Sequence, residues 1–362
     1  MVTCLIDYRF PRKGAKGSVP WMATQTAAAR RSAPLRRLPV AATAAVLVGA
    51  LGLLGVLWQA FEAGLGSEGN VPTFVLITLN GITLAGLYFI SASGLTLIFG
   101  LLRVTNLAHG ALFLLGGYVA LTLVRDAGAS WALAAVAAMV VSGAVGLVMH
   151  QLFLRWNQGQ DLRQALITIA VSLILADQML AYFGATPTAI APPEFLAQPL
   201  PLGLYDLSYP AFRIAILVAA IVVGLLFWLV YKRTRVGMVV RAGVDDTQMT
   251  SALGVNVQWV FAIAFFVGSA LAGLGGAFAG TSLSLAPGQD QSFLVSALVV
   301  VIVGGMGSLG GAALGALLLG LVDQYASAYL PPEYSNLSAL LTFVLLAAIL
   351  AVRPTGLFGK AS

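Results

Sequence analysis

Apolar stretches of about twenty residues recur along almost the whole chain, separated by short polar segments. A helix needs ~20 mostly apolar residues to cross the hydrocarbon core of a bilayer. Ten stretches approach that length, at residues 39–60, 72–92, 107–124, 131–150, 164–183, 210–231, 257–281, 291–305, 312–330 and 336–352. Only 9% of the residues are charged, against about 25% in soluble domains. The sequence predicts an all-α polytopic membrane protein with about ten spans, some of them short or broken, and no large soluble domain.

The N-terminal tail differs from the rest of the chain. Residues 1–37 are rich in Ala, Ser and Arg and include eight basic side chains but one acid. We therefore expect a disordered tail, followed by a transmembrane domain over residues 38–362. The first apolar stretch exceeds the ~7–15 residues of a signal-peptide core, and no A-x-A cleavage site follows it. We interpret that stretch as a retained span.

Lys and Arg side chains indicate the orientation of the chain, because they are concentrated in cytoplasmic loops. If the N-terminus is cytoplasmic and the chain crosses ten times, only Arg125 and Arg213 of the 19 basic residues fall in outer segments. Both termini are therefore predicted to be cytoplasmic. This placement accounts for the net charge of +6 without a nucleic-acid partner.

The longest polar interruption between the first and last apolar stretches is residues 232–256. Asp245 or Asp246 is a suitable N-cap, and Gly254 stands where a helix could end in the left-handed conformation. Three apolar residues between them share one face, namely Met249, Ala252 and Leu253. The pattern predicts a short amphipathic cytoplasmic helix over roughly residues 246–253. It either lies at the membrane interface or docks on a partner protein, and its modest apolar face favours docking.

Small residues spaced four apart predict close helix packing within the membrane. One set lies in the stretch 257–281 and comprises Gly268, Ala272, Gly276 and Gly280. A second set, also expected on one helix face, comprises Gly307, Gly311 and Gly315.

Residues 94–118 combine glycines with polar side chains. Gly94 and Gly100 bracket an apolar piece too short to span, which indicates a broken helix, and Asn106 and His109 follow. Broken helices at membrane depth occur where they are buried in protein or line a cavity, and they often mark transport paths. The structural alternative is that Asn106 is an N-cap and His109 a core histidine.

Two carboxylates fall within predicted spans, Asp177 and Asp323, each followed by glutamine. Ionisable groups are expensive in lipid and indicate functional sites. Either they line a path, or they lie near the outer membrane surface and are hydrated.

The sequence gives little support to the hypothesis that the chain is an enzyme. It contains no G-x-x-x-x-G-K-[ST] phosphate loop. With two histidines far apart and one cysteine, no zinc ligand set is visible. We expect no metal, no cofactor and no catalytic residues.

Four motifs resemble those of the branched-chain amino acid ABC transporter permeases. They are GLTLIFGLLRVTNLAHGALFLLGGY (94–118), RTRVGMVVRAGVDDTQMTSALGVN (233–256), VGGMGSLGGAALGALLLG (303–320) and VRPTGLFGK (352–360). The likeness covers about residues 73–360 and excludes the basic tail.

The resemblance implies a permease subunit in a bacterial inner membrane, part of a high-affinity importer. Its partners would be cytoplasmic ATPase subunits, a second related permease, an extracytoplasmic solute-binding protein and membrane lipid. The ATPase-coupling residues would be Arg241, Asp245, Asp246, Met249, Ala252, Leu253 and Gly254. Related permeases are associated with urea, short amides and aromatic acids as well as branched-chain amino acids. The competing interpretation is a stand-alone secondary transporter or channel.

Overall fold

A computed structural model describes residues 70–102, 104–203, 207–234, 256–330 and 338–359, with isolated positions at 55, 58, 59, 62, 237–239, 242, 249 and 250. The predicted tail and nearly all of the first predicted span therefore lie outside the described residues.

Helices dominate the described part of the chain. They are α1 (Val71–Leu102), α2 (His109–Arg125), α3 (Trp131–Met149), α4 (Asp161–Phe183), α5 (Glu194–Ala197), α6 (Ala211–Arg233), α7 (Val257–Ser282), α8 (Gln289–Gly304), α9 (Leu309–Tyr329) and α10 (Ser338–Val352). Helix α3 continues through a π-helical segment (His150–Leu154) and a 3₁₀ turn (Arg155–Asn157). Strands β1 (Pro199–Pro201) and β2 (Ser208–Pro210) form an antiparallel hairpin.

Six of the described helices are long and apolar enough to cross a membrane: α1, α3 with its continuation, α4, α6, α7 and α9. Helices α2, α8 and α10 are apolar but shorter. The chain is thus a polytopic helical membrane protein. Nine of the ten predicted stretches overlap helices, but three of those helices are shorter than a typical span.

Helix α7 lies at the centre of the bundle and packs on α1, α2 and α3. Gly94 of α1 meets Gly268 of α7 so closely that a Cβ on Gly94 would overlap the Gly268 carbonyl oxygen. Ser91 lies beside Gly275, so α1 and α7 are antiparallel. The predicted break between Gly94 and Gly100 is wrong, because α1 is continuous across both. Gly94 serves the helix contact instead of interrupting the helix.

The predicted packing residues are buried in two helices: Gly268, Ala272, Gly276 and Gly280 in α7, and Gly311 and Gly315 in α9. Gly307 does not share the α9 face, contrary to prediction. It precedes the helix, with φ of 81°, in a turn where Gly305 also has positive φ. Ser308 then caps α9, its side chain accepting a hydrogen bond from the Gly311 amide at 3.1 Å.

Helices α1–α3 and α7–α9 form two similar units, each with a long, a short and a medium helix in that order. Residues 103–108 and 283–288 link the first two helices of each unit. Helix α1 packs on α9 as α7 packs on α3. Because α1 and α7 are antiparallel, the two units have opposite directions. The fold therefore contains an internal inverted repeat, an arrangement found in many transporters.

The two ends of the bundle differ in charge. At one end Gly100 approaches Gly307, and the amides of Gln158 and Gln258 pair at 3.1 and 3.2 Å. The described basic residues at this end, which we call the basic end, are Arg155, Arg163, Lys232, Arg233 and Arg353.

The opposite end carries the β1–β2 hairpin and the segment 184–193. The Ile190 amide donates to the Gly280 carbonyl at 2.9 Å, and Thr188 and Leu285 form a β-bridge. Arg125, exposed at this end, pairs with Asp126 at 2.8 Å. The Arg125 guanidinium hydrogen-bonds that carboxyl and lowers its pKa.

Candidate functional site

The linker between α1 and α2 turns back into the bundle. His109, the first residue of α2, places its Nε2 3.0 Å from the Ser91 carbonyl oxygen. Ser91 lies eleven residues before Leu102, the last residue of α1, which is about 16 Å of helix. Residues 104–108 are therefore re-entrant, and α2 begins inside the bundle.

The linker between α7 and α8 is re-entrant in the same way. Leu285 lies against Gly117, and the Asp290 carbonyl lies where a Cβ on Gly110 would project. Since Gly110 is the second residue of α2 and Asp290 the second of α8, the N-termini of the two short helices meet. Helix N-termini carry partial positive charge. Asp290, buried in the first turn of α8, supplies an acidic side chain at this junction.

Asn106 and His109 are fully buried at the junction. The Asn106 Oδ1 accepts from the Ala108 amide at 3.1 Å, and the His109 Nε2–H donates to the Ser91 carbonyl. The Asn106 Nδ2 and the His109 Nδ1 have no hydrogen-bond partner among the described residues. A buried polar atom without a partner is costly, so these two atoms are candidates for contact with a solute, an ion or a water molecule.

Asp323 connects to this junction through aromatic rings. The Tyr88 hydroxyl donates to an Asp323 carboxylate oxygen at 2.8 Å. The Tyr88 ring is edge-on to Phe293, with centroids 5.9 Å apart, and Phe293 stacks on Phe113 at 4.1 Å. Phe113 lies one turn after His109 in α2. Packing thus brings three of the four predicted path residues into one continuous cluster.

Asp177 does not belong to that cluster. It is exposed on α4, a helix with few buried residues. Among the described residues no group of three His, Cys, Asp or Glu side chains could hold a metal ion. The cluster contains polar groups able to bind a solute, but no visible constellation for chemistry on it.

Comparison with known proteins gives a family match. The family model described as "Branched-chain amino acid transport system / permease component" matches residues 77–350. The chain belongs to this permease family. The match confirms the family resemblance, contains the first three of the four sequence motifs and extends from α1 into α10.

Individual permeases show the same relationship. The high-affinity branched-chain amino acid transport system permease protein LivH of Salmonella typhimurium is 28% identical over 300 residues, which cover 79% of this chain and 96% of that protein. LivH of Escherichia coli is 28% identical over 302 residues, with the same coverage. The permease protein BraD of Pseudomonas aeruginosa is 29% identical over 295 residues, covering 78% and 94%. No solved structure matches the chain.

The predicted coupling residues of the permease fall mostly outside the described part of the chain. Of the seven, only Met249 is described. It is helical and its side chain is 61% exposed. The assignment of the other six stays a prediction.

One polar cluster was not anticipated from the sequence. The charge distribution predicts Arg213 in an outer segment, and the structure places it in the first turn of α6, where it donates a hydrogen bond to Asn80 of α1. The sequence does contain one indication of this position, because Arg213 is the fourth residue of the apolar stretch 210–231, which is long enough to span a membrane.

Asp323→Asn is expected to lower the transport rate of the permease complex at least about tenfold, since an ionisable group inside a bundle marks a functional path. The asparagine oxygen can still accept from Tyr88, so packing is retained and only the charge is lost. Initial uptake rates in proteoliposomes measure the effect. Asp177→Asn, an exposed Asp likewise followed by Gln, is the matched control. Equal rates for both variants would assign Asp323 a structural role.

Proposed function

We propose that this chain is a permease subunit of an ATP-driven ABC importer and forms its translocation path for branched-chain amino acids. The family match over residues 77–350 carries this proposal, because it spans the bundle from α1 into α10. The related LivH and BraD proteins are named as permeases for such amino acids. The solute-binding protein, another chain, would select the substrate.

The motor of the importer is a separate protein. The sequence contains no phosphate loop, so ATP is hydrolysed by cytoplasmic ATPase subunits that bind the segment 232–256. ATP-driven closure of those subunits moves the spans only if they bind two arrangements of the loop differently. A second permease, identical or related, completes the membrane part.

The basic end faces the cytoplasm. Five described basic residues gather there, and cytoplasmic segments are enriched in Lys and Arg. Both termini then lie on the cytoplasmic side of the bacterial inner membrane. The hairpin and segment 184–193 face outward, where they form the docking surface for the binding protein. A cysteine at exposed Gln160, in a chain lacking Cys4, should react only with reagents added from the cytoplasmic side. Reaction from outside would reverse the orientation.

Alternating access would require movement of the two inverted units, and one contact connects the outer surface to the second unit. The segment 184–193 bonds to the re-entrant linker 283–288 through Thr188 and to α7 through Ile190. Docking of a binding protein on that segment would therefore act directly on the α7–α8 linker, beside the junction that contains Asn106 and His109. This contact connects the outer surface to the interior of the bundle.

The test of the function is ATP-driven uptake by the complete complex. The permease, its partner permease, the ATPases and the binding protein, reconstituted in proteoliposomes, should accumulate L-leucine, and leucine-loaded binding protein should stimulate ATP hydrolysis. Urea, acetamide and benzoate test the other solute classes carried by related permeases. Leucine movement by this chain alone along an ion gradient would instead establish a secondary transporter.

A further inference from the structure

A cavity of about 110 Å³ lies between α1, α6, α7 and α9. It is partly open, and it is nearer the hairpin end of the bundle than the basic end. Arg213 from the first turn of α6, Asn80 and Thr83 from α1, and Gln324 from α9 supply polar groups to its lining. Leu84 and Leu87 of α1 supply apolar walls.

Arg213 is held in position by neighbours on two sides. One of its terminal nitrogens donates to the Asn80 Oδ1. The Tyr209 hydroxyl donates to the same oxygen at 3.0 Å and pairs with the Thr83 hydroxyl at 2.9 Å. The guanidinium carbon lies 5.9 Å from the centre of the Tyr209 ring. These contacts direct the side chain toward α1 and the cavity, and away from the surrounding lipid.

The charge of Arg213 has no counter-ion among the described residues. Arg125 at the same end forms an ion pair with Asp126 at 2.8 Å, whereas no described carboxylate oxygen lies within 4.0 Å of an Arg213 nitrogen. A guanidinium has five N–H donors and often binds a carboxylate with two of them, and the hydrogen bond to Asn80 occupies one donor. Donors therefore remain for a ligand in the cavity.

We propose that this cavity binds the transported solute, with Arg213 contacting its carboxylate and the leucine-lined wall contacting its apolar side chain. The inference rests on the proposed function, since it assigns a site to the amino acid that the importer carries. A small carboxylate with a branched apolar group matches both halves of the lining. A purely apolar ligand would leave the guanidinium unpaired, and a small inorganic anion would leave the leucine wall uncovered.

The position of the cavity fits the direction of import. With the basic end cytoplasmic, the cavity lies in the outer half of the bundle, on the side where a binding protein releases its solute. Tyr88, the neighbour of Leu87 in α1, donates to Asp323. The cavity therefore adjoins the polar cluster that leads to His109.

Cysteine protection in the full-length protein tests the site. Cys4 is the only cysteine, so a C4S chain carrying S282C has one thiol, at the cavity wall. In nanodiscs, L-leucine and 4-methylpentanoate, which lacks the amino group, should slow its reaction with a neutral thiol reagent. 3-Methylbutylamine, which lacks the carboxylate, should not. Arg213→Gln should raise the protecting concentration at least about tenfold, since a hydrogen bond to a charged group is lost.

Two further variants complete the test. Arg125→Gln, at the same end of the bundle, should leave protection unchanged. Arg213→Lys keeps the charge but loses the planar guanidinium, so it should raise the protecting concentration less than Arg213→Gln does, which separates loss of charge from loss of fold. Protection by the amine as strong as by the two acids, or equal protection in Arg213→Gln, would overturn the site.

Failure of the site can be distinguished from failure of the function. If the wild-type complex imports leucine but leucine never protects Ser282→Cys, the site is wrong and the importer stands. If 4-methylpentanoate protects in an Arg213-dependent manner while the wild-type complex imports no amino acid, the carboxylate site stands and the proposed function falls.

Discussion

Gly276→Leu should prevent the bundle from assembling. A Cβ at Gly276 would overlap the Phe113 carbonyl oxygen and lie 2.8 Å from the Gly117 amide nitrogen. Both are backbone atoms, so α2 and α7 would have to separate along their contact. Overpacking a core with side chains costs about 1–3 kcal/mol, and a backbone clash at a fully buried position should exceed that range. Native proteins are stable by only about 5–15 kcal/mol, so little folded protein should remain.

The yield of monodisperse protein extracted from membranes, followed by thermal unfolding, measures this effect. Gly310→Leu is the matched control, because Gly310 is also helical and no atom lies within 4 Å of its Cβ position. Comparable yields and unfolding temperatures for the two variants would contradict the central role of the α2–α7 contact.

Met249→Arg should uncouple ATP hydrolysis from uptake. The sequence places Met249 on the apolar face of a short cytoplasmic helix, and its side chain is 61% exposed. A charge introduced into the core of a protein interface is strongly unfavourable, because it loses its hydration without gaining a partner. Leucine uptake by the reconstituted complex should therefore fall more than about tenfold, while the permease still inserts and the ATPases still hydrolyse ATP.

Two variants control for this result. Met249→Leu keeps the apolar face and should retain most uptake. Met306→Arg places the same charge at another methionine of the basic end with nearly equal exposure, 59%. Uptake by Met249→Arg at the level of Met306→Arg would remove the docking assignment of this helix.

Apolar length and family motifs, both visible in the sequence, account for the class of fold and for the positions of nine helical stretches. Hydropathy succeeds there because the bilayer requires long apolar helices with satisfied backbones. Hydropathy does not indicate how deep inside the bundle a helix begins. Hydropathy therefore predicts an ordinary span over residues 107–124, whereas α2 begins about 16 Å inside the bundle, beside Ser91.

Roles of individual residues were harder to predict, because they depend on partners distant in sequence. Gly94 suggests a helix break until Gly268 is seen against it. Arg213 looks like a loop charge until its hydrogen bond to Asn80 places it on a cavity wall. Asn106 and His109 stand out in the sequence as polar residues in an apolar region, but the approach of Gly110, next to His109, to Asp290 depends on the second re-entrant linker.

The short re-entrant helices also constrain how this protein is made. Helix α2 has 17 residues, about 26 Å, which is less than the ~30 Å hydrocarbon core. It cannot settle in lipid as an independent helix, because its linker would expose unsatisfied backbone groups. Its main packing partner, α7, is synthesised more than a hundred residues later. The packing of the first unit is therefore completed only after the second unit, which is related to it by an approximate two-fold rotation, has been synthesised.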